Sequence, residues 1–275
     1  MSTLTWLHTM ARMARPAPPA SGDLARPGGA GAAWPPLVAG LDPITAPDDP
    51  ETIVAATLTA RRSDTDAETR LLWGRYAYRA AQRLWGGACP ATIGIGRVYE
   101  QVLAAQDLSF DAVRVCEQRL AACEPGTDVG RALTSGCELA VALHRDGQCE
   151  QAEQQSRIGL RQWQASPHGY YGHAAVVLLT AAAVRAGCGQ HRAAARVLTD
   201  DAAHLADLDP ACRHAAAGWL ATVTITHPHR CGATPPAPPA SGTLEQQQRQ
   251  WLATLETLPA AARPGAAHAE PRMAS

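Results

Sequence analysis

The chain contains no lysine and no asparagine, and it has only one phenylalanine among 275 residues. All 24 basic side chains are therefore arginine, which is typical of codon bias in a GC-rich genome. Basic and acidic side chains nearly cancel, with a net charge of −1 and a pI near 6.8. This balance argues against nucleic-acid or anionic-membrane partners, which attract polybasic surfaces.

Long apolar runs are also missing. The longest candidate, 174–184, ends at Arg185, and the first fifteen residues lack the apolar core of a secretory signal. The eight cysteines form no Cys-x2-Cys pair and are too sparse for a disulfide scaffold. These features predict a cytoplasmic protein with reduced thiols and no transmembrane helix.

Catalytic signatures are absent from the sequence as well. There is no Gly-x-Ser-x-Gly, Walker loop, Gly-x-Gly-x-x-Gly or His-Glu-x-x-His. Gly94-Ile95-Gly96 lies in a helical pattern without a following phosphate loop, and Asp200-Asp201 lies on a polar surface. We therefore expect neither an enzyme nor a cofactor.

Proline and glycine divide the chain into segments. Nine prolines fall within residues 11–50, and 233–242 is again rich in proline, whereas the segment between them has apolar residues at helical spacing. The predicted organisation is a disordered segment over 1–47, a helical domain over 48–230, a proline-rich linker over 231–242, an amphipathic helix over 243–258, and a disordered tail over 259–275. No alternating run is long enough to predict a strand.

The helical segment repeats itself. Arg145-Asp146-Gly147 returns 40 residues later as Arg185-Ala186-Gly187, and each copy follows an alanine-rich stretch. An alanine then recurs near the start of the next helix, at Ala112, at Ala152, and at Ala193 or Ala194. A period of this length indicates stacked helical hairpins, and short connections make neighbouring helices antiparallel.

Three stretches carry a resemblance to a known family: Cys89-Pro90-Ala91-Thr92, Arg119-Leu120-Ala121-Ala122, and 147–152, which reads Gly-Gln-Cys-Glu-Gln-Ala. With them the chain resembles tetratricopeptide repeats (TPR), in particular the longer variety of about 40–42 residues found in kinesin light chains. Cys89 stands where that variety usually has histidine, and Asp107 replaces a turn glycine. The resemblance covers roughly 50–205. It implies an all-α fold of antiparallel hairpins stacked into a right-handed superhelix, an α-solenoid whose concave face holds a protein or peptide.

The same resemblance implies that the first helix of each hairpin lines the concave groove. By position, this gives Arg97, Gln101, His144, Arg145 and Arg185 as partner-binding residues. A groove of guanidinium groups would suit acidic peptides or terminal carboxylates through bidentate hydrogen bonds. The alternative is that these side chains are the solvated ends of amphipathic helices.

Two other residue sets have plainer interpretations. His227, His229 and Cys231, with Cys188 and His191 upstream, contain zinc-type ligands, but no half-site has the usual spacing, and we expect a linker without metal. Trp73, Trp85, Trp163 and Trp219 fall at helical positions and are expected to pack between helices.

These patterns together predict an interaction module or scaffold that binds an unidentified protein or peptide. The alternatives are a regulator whose superhelix changes shape when a peptide binds, and an accessory subunit or helical-repeat enzyme. The C-terminal helix over 243–258 would cap the stack or dock elsewhere.

Overall fold

A computed structural model of the chain describes residues 38, 40–123, 128–165, 173–205, 208–226 and 243–257. Within these ranges the fold is entirely helical. The helices are α1 (Pro50–Arg61), α2 (Ala67–Trp85), α3 (Pro90–Ala105), α4 (Ser109–Ala121), α5 (Val129–Arg145), α6 (Cys149–Ala165), α7 (Ala174–Gly187), α8 (His191–Asp200), α9 (Pro210–Thr226) and α10 (Leu244–Glu256). A short 3-10 turn, Ala202–His204, follows α8.

Side-chain caps explain why several helices begin where they do. Asp49, Asp66 and Asp128 each accept a hydrogen bond from a first-turn backbone N–H, as the sequence predicts for these helix starts. Thr243 and Gln246 form a reciprocal capping box at α10. Local chemistry alone therefore determines the entry into these four helices.

Consecutive helices pack against each other along most of the chain, as expected for stacked hairpins. The odd-numbered helices also form a layer, in which α1 packs on α3, α5 on α7, and α7 on α9. The pair α3 and α5 is the exception, because their backbones make at most weak contact. None of the ten helices in the described part of the chain combines the length and apolarity that a membrane crossing requires.

The three central hairpins share one turn. Asp107, Gly147 and Gly189 all have positive φ, at 55°, 81° and 75°. In each turn the next residue donates its backbone N–H to the carbonyl five residues earlier, as in a Schellman motif, with N···O distances of 3.0, 2.9 and 2.9 Å. Burial also repeats residue by residue between 101–112 and 141–152. The internal repeat is therefore visible in the backbone as well as in the letters.

The register of the last repeat differs from the predicted one. The structural equivalent of Gly147 is Gly189, because Gly187 is still the last residue of α7. The alignment of Arg145 with Arg185 is thus wrong by two residues, and Arg185 corresponds to Leu143. The same shift decides between Ala193 and Ala194 as the repeated alanine. Ala194 is fully buried and occupies the position of Ala112 and Ala152.

The apolar core is divided into clusters. The largest cluster takes buried residues from each of the six helices α5 to α10 and contains Trp163 and Trp219. Helices α1 and α2 have a separate cluster around Trp73, and Trp85 is partly buried against it. The expected packing role of the four tryptophans is confirmed. Helix α10 packs on α9, where the Trp251 indole N–H donates to Thr224 Oγ1 at 3.2 Å.

Some expectations lie partly or wholly outside the described residues. These are most of the 1–47 segment, the 231–242 linker, the 259–275 tail, and the set around His227, His229 and Cys231. Inside the described part, Val38 is buried in the α1–α2 cluster, and the Tyr76 hydroxyl donates to the Pro47 carbonyl at 2.5 Å. The chain just before α1 is therefore packed against α2.

Candidate functional site

The five predicted partner-binding residues all lie on the odd-numbered helices. Arg97 and Gln101 are on α3, His144 and Arg145 end α5, and Arg185 is near the end of α7. The structure places Arg97 in an ion-pair cluster, Gln101 in a small pocket, and His144 in a group of histidine and cysteine side chains. Arg145 and Arg185 belong to none of these three. Whether they contact a partner stays a prediction.

Arg97 belongs to a group of four charged side chains between α3, α4 and α5. We call Arg97, Glu100, Arg119 and Glu138 the charged cluster. Arg97 Nε donates to Glu138 Oε1 at 2.7 Å, and Arg119 Nη2 donates to Glu100 Oε2 at 2.5 Å. Arg119 Nη2 also lies 3.1 Å from Glu138 Oε2, close enough for charge attraction but not aligned for a hydrogen bond. The cluster thus bridges the two helices whose backbones stay apart.

Burial dominates the electrostatics of the charged cluster. The side chains of Glu100, Arg119 and Glu138 are at most 1% exposed, and Arg97 is 18% exposed. Desolvation raises the pKa of Glu100 to about 7, although Arg119 opposes this shift. Desolvation would lower the pKa of Arg119, but the charges of Glu100 and Glu138 outweigh it and raise that pKa. The arrangement holds compensating charges inside the helical stack, away from solvent.

Gly96 makes room for this cluster. A Cβ at Gly96 would lie 2.7 Å from Arg119 Cδ and 2.8 Å from Tyr78 Cε2, closer than real Cβ atoms approach other carbons. Nothing lies within 4 Å of a Cβ built on Gly94, which is two residues before Gly96 in the same helix. Gly96 is therefore a packing residue, which fits the absence of a phosphate loop after it.

The order of residues in the sequence indicates the charged cluster, although the overall composition does not. Glu138 lies in the middle of eight consecutive buried residues, 133–140, and Arg119 continues the buried stripe of Val115 and Cys116 on α4. A charged side chain on an apolar stripe is rarely fully buried unless it is paired. Glu100, three residues after Arg97 on α3, completes the pairing.

Arg145 links two successive turns. Its Nη2 donates to the Ala104 carbonyl and lies 3.4 Å from Asp107 Oδ1, so the end of α5 is tied to the end of α3. Burial lowers the pKa of Arg145, and Asp107 counteracts that shift. In contrast, Arg185 Nη1 is buried and has no hydrogen-bond acceptor within the part of the chain that the structure describes.

Gln101 lines a pocket of about 150 Å³ between α1 and α3. Two arginines share this pocket, Arg61 at the end of α1 and Arg70 on α2, whose Nε donates to the Ala60 carbonyl at 3.2 Å. Ala60, Val98, Val102 and Ala105 supply its apolar wall. Guanidinium groups beside an apolar wall suit a carboxylate with a short aliphatic side chain. Sequence reasoning missed Arg61 and Arg70 because the pocket forms only when α1 packs on α3.

His144 lies in a second group with Cys149 and Cys188. Their ligand-type atoms all fall within 4.8 Å of one another, and Cys188 Sγ is 3.4 Å from His144 Nε2. His144 is 4% exposed, and both cysteines are half-buried. The sequence analysis grouped Cys188 with His191 and the 227–231 segment. The structure instead places Cys188 beside His144 and Cys149, about 40 positions earlier in the chain.

Neither protein-family models, nor curated proteins, nor solved structures give a significant match to this chain.

Proposed function

We propose that this chain is a protein-interaction module that binds an acidic peptide segment on its layer of odd-numbered helices. The resemblance to tetratricopeptide repeats motivates this proposal, and the repeated turns at Asp107, Gly147 and Gly189 support the hairpin arrangement on which it rests. Because the odd helices contact one another while the even helices pack mainly on their odd neighbours, we infer that the odd layer is the concave side.

The pocket between α1 and α3 is the observation that carries the proposal. It joins a predicted binding residue, Gln101, to the guanidinium groups of Arg61 and Arg70. Arg97 and Arg145 are 18% and 17% exposed and each lies against a carboxylate of the chain, so they are less available to a ligand, whereas Arg70 donates its Nε to a backbone carbonyl. The terminal carboxylate of the peptide would accept from Arg61 and Arg70, and the apolar wall would contact the aliphatic carbons of the last residue.

A peptide library tests this proposal directly. Acidic C-terminal peptides are synthesised with a free carboxylate and, in parallel, with a carboxamide, and binding is measured by fluorescence anisotropy. We expect the free-carboxylate set to bind and the Arg61→Gln/Arg70→Gln variant to bind at least about tenfold more weakly, since a charge-assisted hydrogen bond contributes about 1.5–3 kcal/mol.

The matched control is Arg114→Gln, which removes an exposed arginine from α4 outside the pocket. Its affinity should equal that of the wild type. Equal binding by the pocket variant, or equal binding of the carboxamide peptides, would contradict the assignment of the pocket. Far-UV circular dichroism of each variant separates loss of binding from loss of fold.

A second candidate function is a regulator that changes shape when the peptide binds. The observation that favours it is the junction between the α3–α4 hairpin and the α5–α6 hairpin, where α4 packs on α5 but α3 and α5 are joined mainly through side chains. Such a junction can open without breaking a hairpin. A change in the radius of gyration on adding the same peptide, measured by small-angle X-ray scattering, would support the regulator over the rigid scaffold.

A further inference from the structure

Successive turns of the repeat meet at one recurring pair of positions. Each turn has one residue with positive φ, which serves as its reference position. The first member of the pair lies two residues after the reference position of one turn. The second member lies one residue before the reference position of the next turn. Between the first two turns the pair is Ser109 and Asp146, whose Oγ and Oδ1 atoms are hydrogen-bonded at 2.5 Å. Between the second and third turns the equivalent pair is Cys149 and Cys188. The fold thus brings these two thiols together by the same geometry that brings Ser109 to Asp146.

A third side chain completes the group. His144 lies on the last turn of α5, and the positive φ of Gly147 reverses the chain so that Cys149 comes back beside it. Cys188 follows directly after α7, and its Sγ lies 3.4 Å from His144 Nε2. The three ligand-type atoms lie within 4.8 Å of one another. The end of α5, the start of α6 and the residue after α7 each contribute one of them.

From this arrangement we propose that His144, Cys149 and Cys188 form a binding site for a zinc-class metal ion. Zinc–sulfur bonds of about 2.3 Å and zinc–nitrogen bonds of about 2.0 Å place neighbouring tetrahedral ligands about 3.5–3.8 Å apart. The observed 3.4 Å between His144 and Cys188 is close to that separation, and the longest separation of 4.8 Å needs only a side-chain movement.

The donor set selects the class of ion. Two thiolates and one imidazole favour Zn²⁺ or Cu⁺ and disfavour Mg²⁺ and Ca²⁺, which prefer oxygen ligands. Three protein ligands leave the fourth position of a tetrahedron for water or for an external ligand. Both cysteines are half-buried, so an ion can reach the site from solvent.

Metal binding would join two hairpins. The ion would connect the Gly147 turn to the end of α7, and so fix the hairpin of α5 and α6 against that of α7 and α8. Binding to the folded chain would raise its thermal stability, and the added stability would grow with the logarithm of the free metal concentration once that concentration exceeds the dissociation constant. This inference is independent of the pocket between α1 and α3, and either can fail without the other.

Cobalt titration of the full chain tests the site. The protein is stripped with EDTA, kept reduced with a phosphine, and titrated with Co²⁺. We expect the visible bands of tetrahedral cobalt together with a near-ultraviolet thiolate-to-cobalt band, at a stoichiometry of a single ion per chain. Equimolar Zn²⁺ should remove both sets of bands and raise the melting temperature.

Variants decide which residues are responsible. Cys149→Ser and Cys188→Ser should each weaken metal affinity by more than about a hundredfold, because loss of a ligand exceeds the 10–100-fold effect of losing an outer-shell partner. Cys89→Ser removes a half-buried cysteine that belongs to no such group among the residues that the structure describes, and this variant should bind as the wild type does.

Three results would overturn the inference. An octahedral cobalt spectrum without the thiolate band would show that the cysteines are not ligands. Wild-type affinity in Cys149→Ser and Cys188→Ser would show that the metal binds elsewhere. A reduced chain that binds no metal, but forms a Cys149–Cys188 disulfide when the phosphine is removed, would show that the pair is a redox pair instead.

Discussion

Two neighbouring junctions of this stack have opposite chemistry. Between α5 and α7 the helices pack closely, and apolar side chains such as Leu133, Cys137 and Val177 belong to one continuous cluster. Between α3 and α5 the backbones stay apart, and Arg97 reaches across to Glu138. The hairpins on both sides have the same turn, so the difference arises from the interface residues and not from the repeat itself.

The comparison shows what each kind of interface requires. Apolar packing is non-directional and tolerates small shifts, whereas a buried ion pair stabilises only when its geometry and hydrogen bonds are nearly complete. In the charged cluster, Arg119 Nε and Nη1 and Glu100 Oε1 are buried and have no hydrogen-bond partner within the described ranges. We therefore expect this junction to be the more sensitive of the two to single substitutions.

The largest effect is expected from Arg119→Met. Removing the guanidinium leaves Glu100 and Glu138 buried without their shared partner, which should lower the free energy of unfolding by about 3–5 kcal/mol. Urea denaturation followed by circular dichroism measures the change. Arg114→Met, on the exposed face of the same helix, is the control and should change stability little. A loss below about 1 kcal/mol would contradict the expectation that the charged junction is sensitive to single substitutions.

A pH series should distinguish the charged junction from the apolar one. Burial raises the pKa of Glu100 from 4.5 to about 7, so the native state binds the proton more tightly than the unfolded chain. The resulting stability is fully present below about pH 4.5 and is lost as the pH rises through about 7. Glu100→Gln stays neutral, and its stability should gain on the wild type by up to about 3 kcal/mol between about pH 5 and 8.

Urea denaturation at the two ends of this pH range provides the measurement. Glu117→Gln, on the exposed face of α4, serves as the control and should follow the wild-type pH dependence. Parallel curves for Glu100→Gln and the wild type would mean that Glu100 remains ionised in the folded protein across the whole range.

A smaller effect is expected at Gly96. The added methyl group of Gly96→Ala meets Arg119 Cδ and Tyr78 Cε2, and such overpacking should cost about 1–3 kcal/mol. Gly94→Ala meets nothing and should stabilise the helix by up to about 1 kcal/mol through helix propensity alone. Melting temperatures of the two variants should therefore move in opposite directions. A common direction would mean that the cluster adjusts freely around position 96.

The smallest effect concerns the turns themselves. Asp107 holds a positive φ that Gly147 and Gly189 adopt without strain, so Asp107→Gly should stabilise the chain by about 1 kcal/mol. The substitution also removes the contact between Asp107 and Arg145. This contact is 3.4 Å long and the Asp107 side chain is 72% exposed, so its loss offsets little of the gain in stability. Chemical denaturation measures the difference. A decrease in stability would show that the Asp107–Arg145 contact matters more than backbone strain.

Most of the fold could be predicted from local signals. Asp49, Asp66 and Asp128 cap helices by themselves, and spacing of apolar residues is enough to assign helix over strand. The register of the last repeat could not be predicted, because Gly187 and Gly189 are both plausible turn residues in the sequence. The structure identifies Gly189 as the turn through its positive φ and the hydrogen bond from Gln190 N to Arg185 O.

The sites were less accessible to prediction than the fold. Family position places Arg97 and Arg145 in a groove, but pairing with Glu138 and Ala104 depends on contacts about 41 residues apart in the chain. The same holds for Cys188 and His144, which are 44 residues apart. Such juxtapositions follow from how one hairpin stacks on the next, and a single sequence does not contain that information.

The packing of α10 on α9 limits how this protein can assemble. Gln247, Trp251 and Leu255 of α10 are buried, so the apolar side of α9 that another hairpin would need is already covered. A further hairpin could pack on that side of α9 only if α10 moved away, so this helix guards the surface that continues the stack.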